Sequence, residues 1–193
     1  MSDAPPLILA SGSPYRAQML ERLGLPFRSE SPDVDETPRG GERPADLALR
    51  LATDKARTVA ALFPDSVVIA GDQVAGLDAE IFGKPGDRDA AIAQLRSMRG
   101  RTVCWHSGIA IVAPSREFSD VVVTEARFRE LSDGEIERYV DFDRPFDCAG
   151  AMRSESRGIA LLDALSSDDP SALIGLPLIR ISGWLRTLGY RCP

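Results

Sequence analysis

The chain has 193 residues, 44% of them hydrophobic and 27% charged, which is ordinary for a globular protein and enough for a sizeable core without staples. Its formal net charge of −6 argues against a nucleic-acid polymer as partner, because such partners need a basic face, but it leaves room for a small anion held by a few local cations. Cys104, Cys148 and Cys192 are an odd, widely spaced set with no C-x-x-C pair, so neither a disulfide framework nor a zinc site is expected, and a start that does not read as a signal peptide, with no bilayer-length apolar run, predicts a cytoplasmic protein.

The first element carries the most information. Leu7-Ile8-Leu9-Ala10 is a buried strand that ends in Ser11-Gly12-Ser13-Pro14-Tyr15-Arg16, and Met19, Leu20 and Leu23 follow at helical spacing. Ser13 fits an N-cap, and Pro14 stands where a helix tolerates proline. A turn of this kind aims free N–H groups and the positive end of a helix outward, with Arg16 one turn in, which suits a phosphate. The same run would also serve as a capped helix that binds nothing. Residues 31–44 are rich in proline, glycine and acids and read as a long loop, a frequent carrier of function.

Leu47, Leu51, Ala52, Ala56 and Val59 form a helical stripe over residues 46–63. Val67-Val68-Ile69-Ala70 reads as a short strand that ends at Gly71-Asp72-Gln73. Residues 81–85 are a strand and turn, and residues 87–98 a second amphipathic helix. Residues 102–112 and 121–128 are strand-like, joined by a turn over 113–117, and Thr124, Ala126 and Phe128 alternate with Glu125, Arg127 and Arg129 as in a half-wetted strand. Ser132-Asp133-Gly134-Glu135 carries a capping-box pattern, residues 158–165 read as a strand, and a helix closes the chain over 177–188. The mixture predicts an α/β protein with a mixed sheet.

Candidate chemistry gathers at a few places. The long loop offers Asp35 and Glu36. Lys55 lies on the apolar side of its helix, where a lysine is inconvenient. Asp72 follows a buried strand, a usual position for an α/β active-site residue, and Lys84 sits in a Gly-Lys-Pro turn. Each has a plain structural explanation taken singly. Together the carboxylates with Arg16, Lys55 and Lys84 have the composition of a site for a divalent metal and a phosphate chain. His106 is the only histidine and lies in a strand-like run, so it reads as structural, and nucleophile systems that depend on histidine are disfavoured.

Ser11-x-Ser13-Pro14-x-Arg16, Val34-Asp35-Glu36, Lys55, Gly71-Asp72-Gln73, Gly83-Lys84-Pro85 and Gly175-Leu176-Pro177 occur in the order found in the Maf-like nucleotide pyrophosphatases, which the chain resembles from Leu7 to about Leu188. The resemblance implies a single domain over residues 1–193 with a three-layer, mixed-sheet α/β fold, inosine-triphosphate-pyrophosphatase-like, its two lobes lying around a cleft. It implies hydrolysis of a nucleoside triphosphate to the monophosphate and pyrophosphate with a divalent cation, Mg²⁺ or Mn²⁺, as cofactor, and a homodimer as partner state. By position it assigns Ser11, Ser13, Arg16, Lys55 and Lys84 to the triphosphate and Glu36 and Asp72 to the metal, Asp72 being also the family's proposed general base. The sequence leaves open whether Asp72 takes a proton or holds the metal, and one carboxylate could do both.

Tyr15, Gln73 and Glu155 are the base-selecting positions implied by the resemblance. Pyrimidine-selective members carry a second arginine at the first and a glutamine at the last, so the pattern is similar to the branch that hydrolyses 7-methyl-GTP. A carboxylate can accept both N1–H and the 2-amino group of guanine, and N7-methylation makes the base cationic, so an aromatic ring such as Tyr15 gains about 1–2 kcal/mol beside it. Two positions depart from relatives: Ala17 stands where a basic residue is frequent, and Ser156 where glycine is. The alternatives are a dTTP/UTP pyrophosphatase of the same family and a non-catalytic nucleotide-binding regulator of septum formation.

Overall fold

The computed structural model describes residues 4–78 and 80–192. In chain order its elements are β1 (Leu7–Ala10), α1 (Pro14–Glu21), β2 (Arg28–Glu30), α2 (Pro44–Leu62), β3 (Val67–Leu77), β4 (Glu80–Phe82), α3 (Arg88–Met98), β5 (Thr102–Ala113), β6 (Arg116–Phe128), α4 (Asp133–Asp143), β7 (Leu162–Ser167) and α5 (Leu178–Thr187). Short 3₁₀ turns lie at Ala149–Ala151, Arg157–Leu161 and Pro170–Ile174. The sheet runs β2-β1-β3-β5-β6-β7, with β4 on β3. β1 is parallel to β2 and β3, and the remaining pairs are antiparallel.

Strand alternation explains the layering. Leu7, Leu9, Val67 and Ile69 pack with Met19 of α1 and with Ile181 and Leu185 of α5, while Ile8, Ala10, Val68 and Ala70 pack with Ala52, Ala56 and Val59 of α2. Successive side chains of one strand therefore feed opposite cores, which gives helix, sheet and helix layers. Small residues along α2 let it lie close, and the approach is tightest at Gly108 of β5, where a Cβ would run into the Ala48 carbonyl. A second lobe gathers Leu95 and Met98 of α3, Ile136 and Val140 of α4, and Trp105 and Phe128 of the distal sheet into one core. The mixed α/β fold is as expected.

Four local expectations are corrected. β3 does not stop at Ala70: its pairing with β5 continues from Val68 to Gly76, so Asp72 and Gln73 lie mid-strand. Their polarity is tolerated because each side chain is satisfied, one on either face of the sheet. β6 begins at Arg116 rather than Val121, since the long β5–β6 ladder leaves only Pro114 and Ser115 between the strands. The strand expected from Gly158 starts at Leu162, after a 3₁₀ turn. α2 begins two residues earlier than its apolar stripe, with Pro44 in its first turn. His106 is half-buried within β5, and burial lowers its imidazole below the ordinary value.

Candidate active site

The turn after β1 is built as its residues dictate. Ser13 is extended and caps α1, its Oγ accepting from Arg16 N at 3.5 Å, and Ser13 N donates to Ser11 Oγ at 3.1 Å. Arg16 then reaches back across the cleft. Its Nε donates to Gly175 O at 3.1 Å and its Nη1 to Ser11 Oγ at 3.5 Å. Gly175 has φ +122°, a backbone that favours glycine, so the carbonyl that holds Arg16 depends on that residue. Burial pushes the Arg16 guanidinium below its ordinary value, against the pull of Asp72 and Glu36.

Asp72 points from β3 toward α2, and Lys55 points from α2 to meet it. Lys55 Nζ lies 2.6 Å from Asp72 Oδ1 and 2.5 Å from Glu36 Oε1. Lys55 and Asp72 are buried, whereas the Glu36 side chain is 57% exposed and reaches inward from the long loop. Burial raises the Glu36 carboxyl, but the Lys55 hydrogen bond and the charges of Lys55, Lys84 and Arg16 outweigh it and hold the group below the ordinary carboxylate range. Lys84 is exposed on the facing lobe and makes no ion pair among the described residues.

Ser11, Ser13, Tyr15, Arg16, Glu36, Lys55, Asp72, Gln73, Lys84 and Glu155 all line one cleft of about 580 Å³. The structure therefore brings together every site residue expected from sequence. Gln73 is engaged differently from a base-reading residue: its amide nitrogen lies 2.9 Å from Ala172 O, 3.0 Å from Leu173 O and 3.2 Å from Ser107 Oγ. Those donors are spent on the segment that leads to Gly175, so Gln73 braces the wall that holds Arg16.

At the far end, Tyr15 Oη donates to Asp147 Oδ2 at 3.4 Å. Arg153 lies 5.5 Å from the Tyr15 ring centre, with Nη2 3.1 Å from Asp147 Oδ1 and Nε 3.9 Å from Glu155 Oε1. Asp147 and Arg153 were not singled out from sequence, because the stretch between α4 and β7 has no periodic signal. The polar Asp147 in a short loop just ahead of Glu155 was the available clue. Asp169 was missed as well. It is buried, accepts from Ser171 N and Ile179 N, and ties the Gly175 segment to the start of α5.

Among the described residues no group of three or more His, Cys, Asp and Glu could hold a metal by itself. Glu36 and Asp72 converge on the Lys55 ammonium, and their carboxylates have the donor chemistry of a hard cation that keeps its waters and takes its remaining ligands from a substrate's phosphates. Glu36 and Asp72 fit a Mg²⁺-class ion in that sense.

Comparison with known proteins bears on the fold and the family. The structure of the Staphylococcus aureus Ham1 protein superposes with TM-score 0.54 at 13% identity, covering 94% of this chain and 98% of that one, which is a likeness of fold. A protein of Aromatoleum aromaticum named 7-methyl-GTP pyrophosphatase is 56% identical over 189 residues, covering 97% of each chain. Proteins of the same name from Cupriavidus metallidurans and Albidiferax ferrireducens are 50% and 49% identical, covering 97% and 96% of this chain and 96% and 94% of their own. A family model described as Maf-like protein matches residues 6–188, and the chain belongs to that family.

Proposed function

We propose that the protein hydrolyses 7-methyl-GTP to 7-methyl-GMP and pyrophosphate with a Mg²⁺- or Mn²⁺-class cation, acting as one Maf-like domain. The observation that carries this reading is the convergence of Glu36 and Asp72 on Lys55, in a cleft that also presents Arg16 and Lys84 and ends at Tyr15 and Glu155. The names of the full-length relatives support the substrate.

The triphosphate lies against the Ser11–Arg16 turn, with Arg16 and Lys84 neutralising its oxygens and Ser13 donating to them. Asp72 has one oxygen on Lys55, while Oδ2 accepts no hydrogen bond from the described residues and is the atom that takes a proton. A water aligned by that oxygen attacks the α-phosphorus. The new O–P bond forms as the bond to the bridging oxygen breaks, the water's proton passes to Asp72, and pyrophosphate leaves with the bonding pair. Negative charge grows on the departing oxygens, where Lys84 and Arg16 are worth most. Glu36 and Asp72 would hold the cation, which when bound screens phosphate charge and makes water a better nucleophile. Glu155 accepts both donors of the guanine edge, and the ring of Tyr15 faces the methylated base.

UTP offers one ring N–H between two carbonyl acceptors, so Glu155 would meet an oxygen where guanine supplies a second donor. 7-Methyl-GTP is therefore hydrolysed with higher kcat/KM than UTP or dTTP, and Glu155→Gln narrows the ratio. Preference for UTP or dTTP in the wild type, or a ratio unmoved by Glu155→Gln, would sink the assignment. Among the described residues no helix is long and apolar enough to cross a membrane. A cytoplasmic site of action and a homodimer complete the proposal, and cell fractionation and sedimentation test them.

A further inference from the structure

Opposite ends of the cleft carry opposite charge. Arg16 and Lys84 face it at the phosphate end, while Asp147 and Glu155 line it beside Tyr15. Among the described residues one cation, Arg153, pairs with these two acids. Arg153 bonds Asp147 at 3.1 Å and lies 3.9 Å from Glu155, but it is not among the residues lining the cleft. The two carboxylates thus meet the ligand while the guanidinium braces them through the Tyr15 side, leaving one net negative charge at that end.

This matters because the guanine edge does not separate the two purine substrates. GTP presents the same N1–H and 2-amino donors to Glu155 as 7-methyl-GTP does. The methylated base differs by a fixed positive charge on its imidazolium ring and by the loss of the N7 acceptor. A hydrogen-bonding side chain has nothing to offer that ring, whereas an aromatic face and a fixed negative charge do.

Resting on the substrate class proposed above, we propose that Asp147 is the residue that distinguishes the cationic, N7-methylated base from plain guanine. Its carboxylate is tied to Tyr15 Oη at 3.4 Å and to Arg153 at 3.1 Å, so it is held beside the ring against which the base lies. The hydrogen bond also keeps the phenol oriented, so one residue sets both the counter-charge and the pose of the ring. The Asp147 side chain is 59% exposed, and screening by water limits the discrimination it supplies to about tenfold.

The test compares kcat/KM for 7-methyl-GTP and GTP in wild type, Asp147→Asn and Asp147→Glu, at low and high salt. In Asp147→Asn the 7-methyl-GTP to GTP ratio falls about tenfold, chiefly through KM for 7-methyl-GTP, and an unchanged thermal melt reports an intact fold. Asp147→Glu retains most of the ratio, and high salt lowers the wild-type ratio more than that of Asp147→Asn. Should Asp147→Asn fail to fold, binding of 7-methylguanosine and guanosine to the wild type replaces it. Only the methylated nucleoside then loses affinity with rising salt.

An unchanged ratio in Asp147→Asn, or equal losses for both substrates, overturns the inference. A wild type that prefers 7-methyl-GTP to UTP but treats GTP alike overturns it as well, while leaving the proposed function standing. A wild type that prefers UTP or dTTP overturns both.

Discussion

Replacing Lys55 by methionine removes the one charge on which the site is hung. Lys55 Nζ is within 2.6 Å of carboxylate oxygens from both Asp72 and Glu36. Methionine keeps much of the volume and leaves two acids facing each other, with Arg16 and Lys84 the remaining cations near Glu36. Breaking a fully buried pair by deleting one partner costs about 3–5 kcal/mol. Asp72 is only 8% exposed and meets that condition. The Glu36 side chain is 57% exposed, so water screens its share, and the net loss is about 2–3 kcal/mol. In a chain of this size each kcal/mol moves Tm by about 2–4 °C, so the variant melts roughly 5–10 °C lower. Thermal melts in EDTA isolate this effect from cation binding. The double variant Lys55→Met with Asp72→Asn recovers much of the lost Tm, because the buried charge is gone, yet remains inactive. A single variant that melts within about 1 °C of wild type, or turns over normally, would refute the picture of Lys55 as the pin between the two acids.

Asp72→Asn keeps the fold and lowers turnover by roughly 10²-fold or more, since the amide cannot take the water's proton; near-normal kcat in a folded variant removes Asp72 from the chemistry. Gly108→Ala forces α2 off the sheet at the Ala48 carbonyl and costs about 3 kcal/mol or more, so a soluble variant with wild-type Tm would contradict the packing. Ser132→Ala removes the capping box of α4 and costs about 1 kcal/mol in urea unfolding; no shift in midpoint would mean that the cap contributes nothing. Glu42, bonded to Arg50, and Glu135, bonded to Ser132 and Arg129, both have carboxyls held down at about 2. Groups depressed in the folded state stabilise above their ordinary value of 4.5 and lose that contribution as pH falls through 2, so Tm declines across this window; melts that stay flat there would contradict it.

How much of this was legible in the sequence depends on the kind of signal. The stripe of Leu47, Leu51, Ala52 and Ala56 and the run of residues 7–10 are periodic or continuously apolar, and both appear as elements where they were expected. The extent of β3 was not legible, because Asp72 and Gln73 break its apolar run and only the β5 ladder opposite shows that the strand continues. The inconvenient position of Lys55 did mark a buried ion pair. The use of Gln73 was hidden, since the carbonyls of Ala172 and Leu173 that take its amide lie about a hundred residues away. Asp147 and Arg153 gain meaning only when the 144–156 segment folds beside Tyr15, and no local pattern announces a contact of that range.

Attack of water on the α-phosphorus of a nucleotide seated between Arg16 and Tyr15 is tested most directly by isotope tracing. With 7-methyl-GTP and a Mg²⁺-class cation in ¹⁸O-water, a single ¹⁸O enters 7-methyl-GMP and none enters the pyrophosphate released. Label in the pyrophosphate, or release of orthophosphate in its place, would contradict it.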